Sequence, residues 1–90
     1  VGANFKEANL KGVNMLESNL QNANLENSDL QGAQFNEDTN FSGVNLKGAN
    51  LKGATGIGGS QIKGTIVNQK TVLPDYLDDE MDGEDFLMQL

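Results

Sequence analysis

A large apolar residue recurs at every fifth position of this chain, with a small residue two places before it. The run opens Ala3-Asn4-Phe5, Ala8-Asn9-Leu10, Val13-Asn14-Met15, Ser18-Asn19-Leu20. It continues Ala23-Asn24-Leu25, Ser28-Asp29-Leu30, Ala33-Gln34-Phe35. A period of five matches neither the ~3.6 residues of a helical turn nor the ~2 of a flat strand. The backbone must turn after each unit, which makes this a repeat architecture.

With the large apolar residue as the centre of each unit, the first centres are Phe5, Leu10, Met15, Leu20, Leu25, Leu30 and Phe35. One extra residue precedes Phe41, and the phase then runs through Leu46 and Leu51. A second extra residue moves the next centre from Gly56 to Ile57, with Thr55 as its small partner. Ile62, Val67 and Val72 follow. Both extra residues read as corner bulges that leave the stack intact. The Asn or Asp before most centres suits a tight turn, because its short side chain bonds nearby backbone. Two residues after the centre, Gly recurs at 12, 32, 43, 48, 53, 59 and 64, which predicts a corner that favours positive φ.

These units resemble the pentapeptide-repeat family, whose consensus is roughly Ala-(Asp/Asn)-Leu-x-x, over residues 1 to about 72. The resemblance implies an all-β fold, a right-handed quadrilateral β-helix with four units per coil. Centre and small residue would point inward, and the other three would face water. At four units per coil the centres form columns: Phe5, Leu25, Leu46, Val67; Leu10, Leu30, Leu51, Val72; Met15, Phe35, Ile57; and Leu20, Phe41, Ile62. About three and a half coils result, roughly 17 Å tall at ~4.8 Å per coil.

Composition agrees with a narrow core. Hydrophobic residues make up 37% of the 90 and aromatics 6%, with no Trp. That is enough for one domain with a slim column of small and medium side chains. Repeat character stops at Leu73-Pro74, dividing the chain into a 1–72 β-helix and a 73–90 capping segment. Residues 1–73 carry six acids and six lysines, and 74–90 carry seven acids and no base. A short helix is expected over 73–81, with Leu73, Leu77 and Met81 on one face. Leu73, Tyr76, Leu77, Met81 and Phe86 are expected to cap the last coil, since an open β-helix end exposes core and unpaired backbone. The segment from Asp82 to Met88 could instead bind a partner as an acidic-hydrophobic motif. At the other end Val1-Gly2 are the last two positions of a preceding unit. Either upstream residues cap that end or two chains stack end to end as a homodimer.

Little here suits catalysis. Without His or Cys the commonest general base and the thiol nucleophile are missing. Ser18, Ser28 and Ser60 fall at small, inward positions. Asp78-x-Glu80-x-Asp82-Gly83 invites a calcium-loop reading, but position 12 is Gln89 rather than a bidentate Glu. Gly56-Ile57-Gly58-Gly59-Ser60 lacks the lysine and spacing of a phosphate loop. No apolar run approaches the ~20 residues of a membrane span. On the outside, Lys6, Glu26 and Lys47 should stack as alternating charges.

The expectation is therefore a non-enzymatic structural or protein-interaction module, with no catalytic residue, metal or cofactor. Its partner would be a protein, with no direct nucleic-acid binding and no membrane. Some members of the family inhibit DNA gyrase as DNA mimics, so a type II topoisomerase inhibitor is the alternative. A calcium-responsive acidic tail on an inert scaffold is a further one. The family occurs in cytoplasm, periplasm and thylakoid lumen, and this sequence does not choose among them.

Overall fold

The computed structural model describes residues 2–77. Its backbone is a stack of parallel, single-residue β-bridges. Asn4 pairs with Asn24, Asn24 with Asn45 and Asn45 with Ile66 on one side; Asn9 pairs with Asp29, Asp29 with Asn50 and Asn50 with Val72 on the next. Asn14–Gln34–Thr55 and Asn19–Asn40 mark the other two sides. The partners lie about four units apart in sequence, so the chain climbs as a β-helix. Parallel pairing normally needs a long crossover; here the other three sides of the coil supply it.

From Phe5 to Phe35, and again at Leu46 and Leu51, each centre residue donates its N–H to the carbonyl of the ladder residue one coil up. Phe5 N–H reaches the Asn24 oxygen at 2.7 Å, Leu25 that of Asn45 at 2.8 Å, and Leu46 that of Ile66 at 2.7 Å. Phe5, Leu25, Leu46 and Val67 therefore share one register position. Within each corner the small residue donates back three positions, as Ala23 does to Leu20 at 2.8 Å. Met15, Leu20, Leu25, Leu30, Phe35, Phe41, Leu46, Leu51, Ile57, Ile62 and Val67 are buried, while Phe5 and Leu10 pack half-buried in the first coil. Burying one such side chain contributes about 1.5–3 kcal/mol. Phe35 and Phe41 meet edge to face across a corner, centroids 5.0 Å apart. Ala23, Ala33, Val44, Ala49 and Ala54 fill the space beside the centres.

The structure revises the register at three places. Val72 is not a centre: it pairs with Asn50 and is 45% exposed, while Leu73 packs against the core. The cause is another six-residue unit, whose corner Asn68-Gln69-Lys70-Thr71 repeats Asn36-Glu37-Asp38-Thr39. In both, the Asn oxygen replaces the backbone carbonyl that an ordinary corner offers to the coil below. Asn36 Oδ1 accepts from Glu17 N–H at 3.0 Å, and Asn68 Oδ1 from Gly48 N–H at 3.1 Å. The buried Thr hydroxyl donates to a centre carbonyl of that coil, Thr39 to Met15 at 2.9 Å and Thr71 to Leu46 at 2.8 Å. The inserted residue thus leaves these buried polar groups satisfied.

The second revision is at Gly56. Thr55 is exposed and pairs with Gln34, and Ala54 is the buried small residue, so Gly56 occupies the centre register with φ +81°. A Cβ there would overlap the Phe35 carbonyl, and only glycine lets the backbone pass. Ile57 then turns into the core one residue later.

The third revision is a helical turn, α1 (Gly59–Lys63), where a regular unit was expected around Ile62. Ile62 is still buried. Gly59 begins the helix and Gly64 has φ −85°, so neither is a positive-φ corner. Ser60 is exposed rather than inward. Gln61 anchors the turn: its Oε1 accepts from Gly58 N–H at 2.7 Å, and its amide donates to the carbonyls of Asn36 and Thr39 at 2.9 and 3.0 Å.

Candidate functional site

The outer surface is set by the residue before each centre. The Oδ1 of Asn4, Asn9, Asn14, Asn19, Asn24, Asp29, Asn40, Asn45 and Asn50 accepts the N–H two residues on, at 2.9–3.2 Å. Each such turn is worth about 0.5–1.5 kcal/mol. These nine corners are thereby shaped alike, and their outward side chains line up in vertical rows. The second corner residue is left-handed whether or not it is glycine: Glu7, Glu17, Asn22 and Asn27 have φ between 58° and 63°. Asn tolerates this through local bonding, whereas for Glu it costs about 1 kcal/mol or more.

Among the described residues one ion pair closes, Lys11 Nζ to Asp29 Oδ2 at 3.5 Å. Loss of hydration pushes the Asp29 carboxyl up. Hydrogen bonds from the Gln31 N–H and amide, with the Lys11 ammonium, outweigh this and hold it below the usual carboxylate range. Lys6, Glu26 and Lys47 share a phase but form no ion pair within 4.0 Å.

A shallow groove of about 460 Å³ lies between the 36–39 corner and α1, lined by Glu37, Asp38, Ser42, Ser60 and Gln61 among others. Its polar wall is built by Gln61 and Thr39, which are already bonded to backbone. Ser28 is buried, its hydroxyl donating to the Leu25 carbonyl at 2.7 Å, and Ser18 is half-buried. No cluster of three or more His, Cys, Asp or Glu fit to hold a metal occurs among the described residues. No helix among them is long and apolar enough to cross a membrane. The calcium-loop residues Asp78, Glu80 and Asp82 lie outside the described residues.

Of the expected capping residues, Leu73 packs half-buried against the core and Leu77 is 1% exposed. The Tyr76 hydroxyl accepts from Ile57 N–H at 2.9 Å and donates to the Ile57 carbonyl at 2.8 Å. Leu77 N–H donates to the Pro74 carbonyl at 3.1 Å, closing one turn. Met81 and Phe86 lie outside the described residues.

Charge is segregated along the axis, a feature that the neutral total over residues 1–73 conceals. Residues 1–38 hold six acids against two lysines, a net of −4. Residues 39–74 hold Lys47, Lys52, Lys63 and Lys70 and no acid, a net of +4. Because the coils stack in chain order, the lower part is acidic and the upper part basic. Ile66 and Val72 are about half exposed on the top coil, in rows that carry Asn or Asp below.

Comparison with known proteins finds eight copies of the pentapeptide repeat, over residues 3–37 and 18–55. No curated protein matches. Among solved structures, a pentapeptide repeat protein (Rfr23) from the cyanobacterium Cyanothece 51142 is 34% identical, covering 80% of this chain and 44% of its own, with a TM-score of 0.42. QnrB1, a plasmid-mediated fluoroquinolone resistance protein, is 20% identical over 88% of this chain and 42% of its own, with a TM-score of 0.47. A pentapeptide repeat protein from Nostoc Pcc 7120 is 24% identical over 83% of this chain and 73% of its own, with a TM-score of 0.40. The chain spans less than half the length of the first two. With matched repeats covering more than half of its residues and a ladder whose partners lie four units apart, the chain belongs to the pentapeptide-repeat family of right-handed β-helices.

Proposed function

We propose that this chain is a non-enzymatic structural and protein-interaction module. Its scaffold is a four-sided β-helix of about three and a half coils, closed by a short C-terminal helical cap. The carrying observation is the set of Asn and Asp turns, which hold outward side chains in fixed vertical rows on the Asn4–Asn24–Asn45 and Asn9–Asp29–Asn50 sides. A rigid, regular face presents many side chains to a partner at little ordering cost. The absence of His and Cys from the sequence agrees with this reading.

The segregated charge weighs against the DNA-mimic alternative. Duplex DNA is anionic along its whole length, about one charge per ~1.7 Å, whereas residues 39–74 carry only positive charge. Potent inhibition in a gyrase supercoiling assay would restore that alternative. The calcium-responsive alternative is tested by calorimetry of the full chain with calcium, where no heat at millimolar calcium ends it.

The interaction reading is tested by affinity capture from the source organism with the intact chain. A single protein enriched at stoichiometric level over an unrelated β-helix bait is the expected result. No protein enriched above an unrelated β-helix bait would overturn it.

A further inference from the structure

We propose that the upper coil carries a docking surface for an acidic, hydrophobic segment, and that its occupant is this chain's own residues 78–90. This goes beyond the interaction-module reading and does not depend on it. On the top coil, Ile66 and Val72 stand where the ladder below has Asn45 and Asn50. The substitution removes the turn-forming amide and leaves two β-branched side chains 47% and 45% exposed. Lys63 and Lys70 occupy the corners flanking Ile66, and Lys70 also precedes Val72. Lys47 and Lys52 sit one coil lower on the same two sides. All four lysines are exposed, and none is within ion-pair distance of an acid among the described residues. Two apolar side chains framed by four unpaired cations fit a segment that alternates carboxylates with apolar residues.

Residues 78–90 have that chemistry: Asp78, Asp79, Glu80, Asp82, Glu84 and Asp85 among Met81, Phe86, Leu87, Met88 and Leu90, with no base. Leu77, the last described residue before this segment, is buried at the same end of the fold. Thirteen residues extend up to roughly 43 Å at ~3.3 Å each. One side of a coil holds about three extended residues, roughly 10 Å, so the segment reaches both faces. Docking would pair the −6 of residues 78–90 with the +4 of residues 39–74, an arrangement that weakens with salt.

Cleavage of the full chain by a glutamyl endopeptidase after Glu80 and Glu84, at low salt, tests this. Replacing all four lysines by Gln, or Ile66 and Val72 by Asn, should raise that rate on the order of tenfold. High salt should do the same to the natural chain. Cleavage after Glu7, Glu17 or Glu26 in the same digest shows whether a variant still folds. An unchanged rate in either folded variant overturns the proposal, and so does protection that rises with protein concentration, which marks a second copy as occupant. Should a variant not fold, carbodiimide cross-linking of the natural chain decides. Intramolecular links from Lys63 or Lys70 to carboxylates within 78–85 are expected, and their absence, or links between chains only, overturns it.

Discussion

The Tyr76 hydroxyl bridges both backbone polar groups of Ile57, accepting from its N–H and donating to its carbonyl. Ile57 N–H belongs to the topmost coil, where the ladder offers no further partner. One side-chain oxygen thus completes a backbone edge that would otherwise be left open. Tyr76→Phe removes both bonds and keeps the ring, and should cost about 1–3 kcal/mol in urea unfolding.

Gly56 is the backbone position least able to change. Gly56→Ala places a Cβ against the rigid Phe35 carbonyl at φ +81°. Gly53→Ala also meets a positive φ, +74°, but its nearest neighbour is at 3.8 Å. Gly53→Ala should cost about 1–2 kcal/mol, and Gly56→Ala clearly more, in paired thermal or urea melts.

The Val72–Leu73 register is testable by exchange of roles. Val72→Asn restores the residue type of its row and should change stability by no more than about 0.5 kcal/mol. Leu73→Ala removes a side chain packed on the core and should cost about 1–2 kcal/mol, less than full burial because Leu73 is only half-buried.

Asp29 gives the fold a defined acid sensitivity. Its folded carboxyl lies below the ordinary range, so the unfolded chain binds the proton more readily. Its contribution is therefore present above the unfolded value, about 3.9, and is lost as pH falls through the folded one. Asp29→Asn should flatten stability against pH below about 4, and Lys11→Gln should flatten it partly, since the Gln31 bonds remain.

Much of this architecture was legible in the period-five pattern. Phe5, Leu25 and Leu46 fall in register because only one large side chain per unit fits a narrow core, with a small one beside it. The 36–39 corner was visible as a phase slip before Phe41. The 68–71 corner was not, because Val72 and Leu73 are both apolar and hydropathy cannot choose between them. Its signal was the Asn68-x-x-Thr71 spacing, which repeats Asn36-x-x-Thr39 and carries the same hydrogen bonds. α1 stayed hidden because Ile62 points inward in a helical turn as well as in a regular unit. The basic upper surface was hidden by summing charge over the whole body. It emerges once stacking order converts sequence position into height. The Lys11–Asp29 pair closes where Gln31 holds the carboxylate in place, whereas Lys6, Glu26 and Lys47 share a phase without an ion pair within 4.0 Å.

Trans-hydrogen-bond scalar couplings in a long-range amide-to-carbonyl NMR experiment observe the ladder itself. Couplings from Leu25 N to the Asn45 carbonyl carbon and from Leu46 N to that of Ile66 are predicted. Couplings from those two nitrogens to carbonyls five residues away from these, or none with fast-exchanging amides, would contradict it.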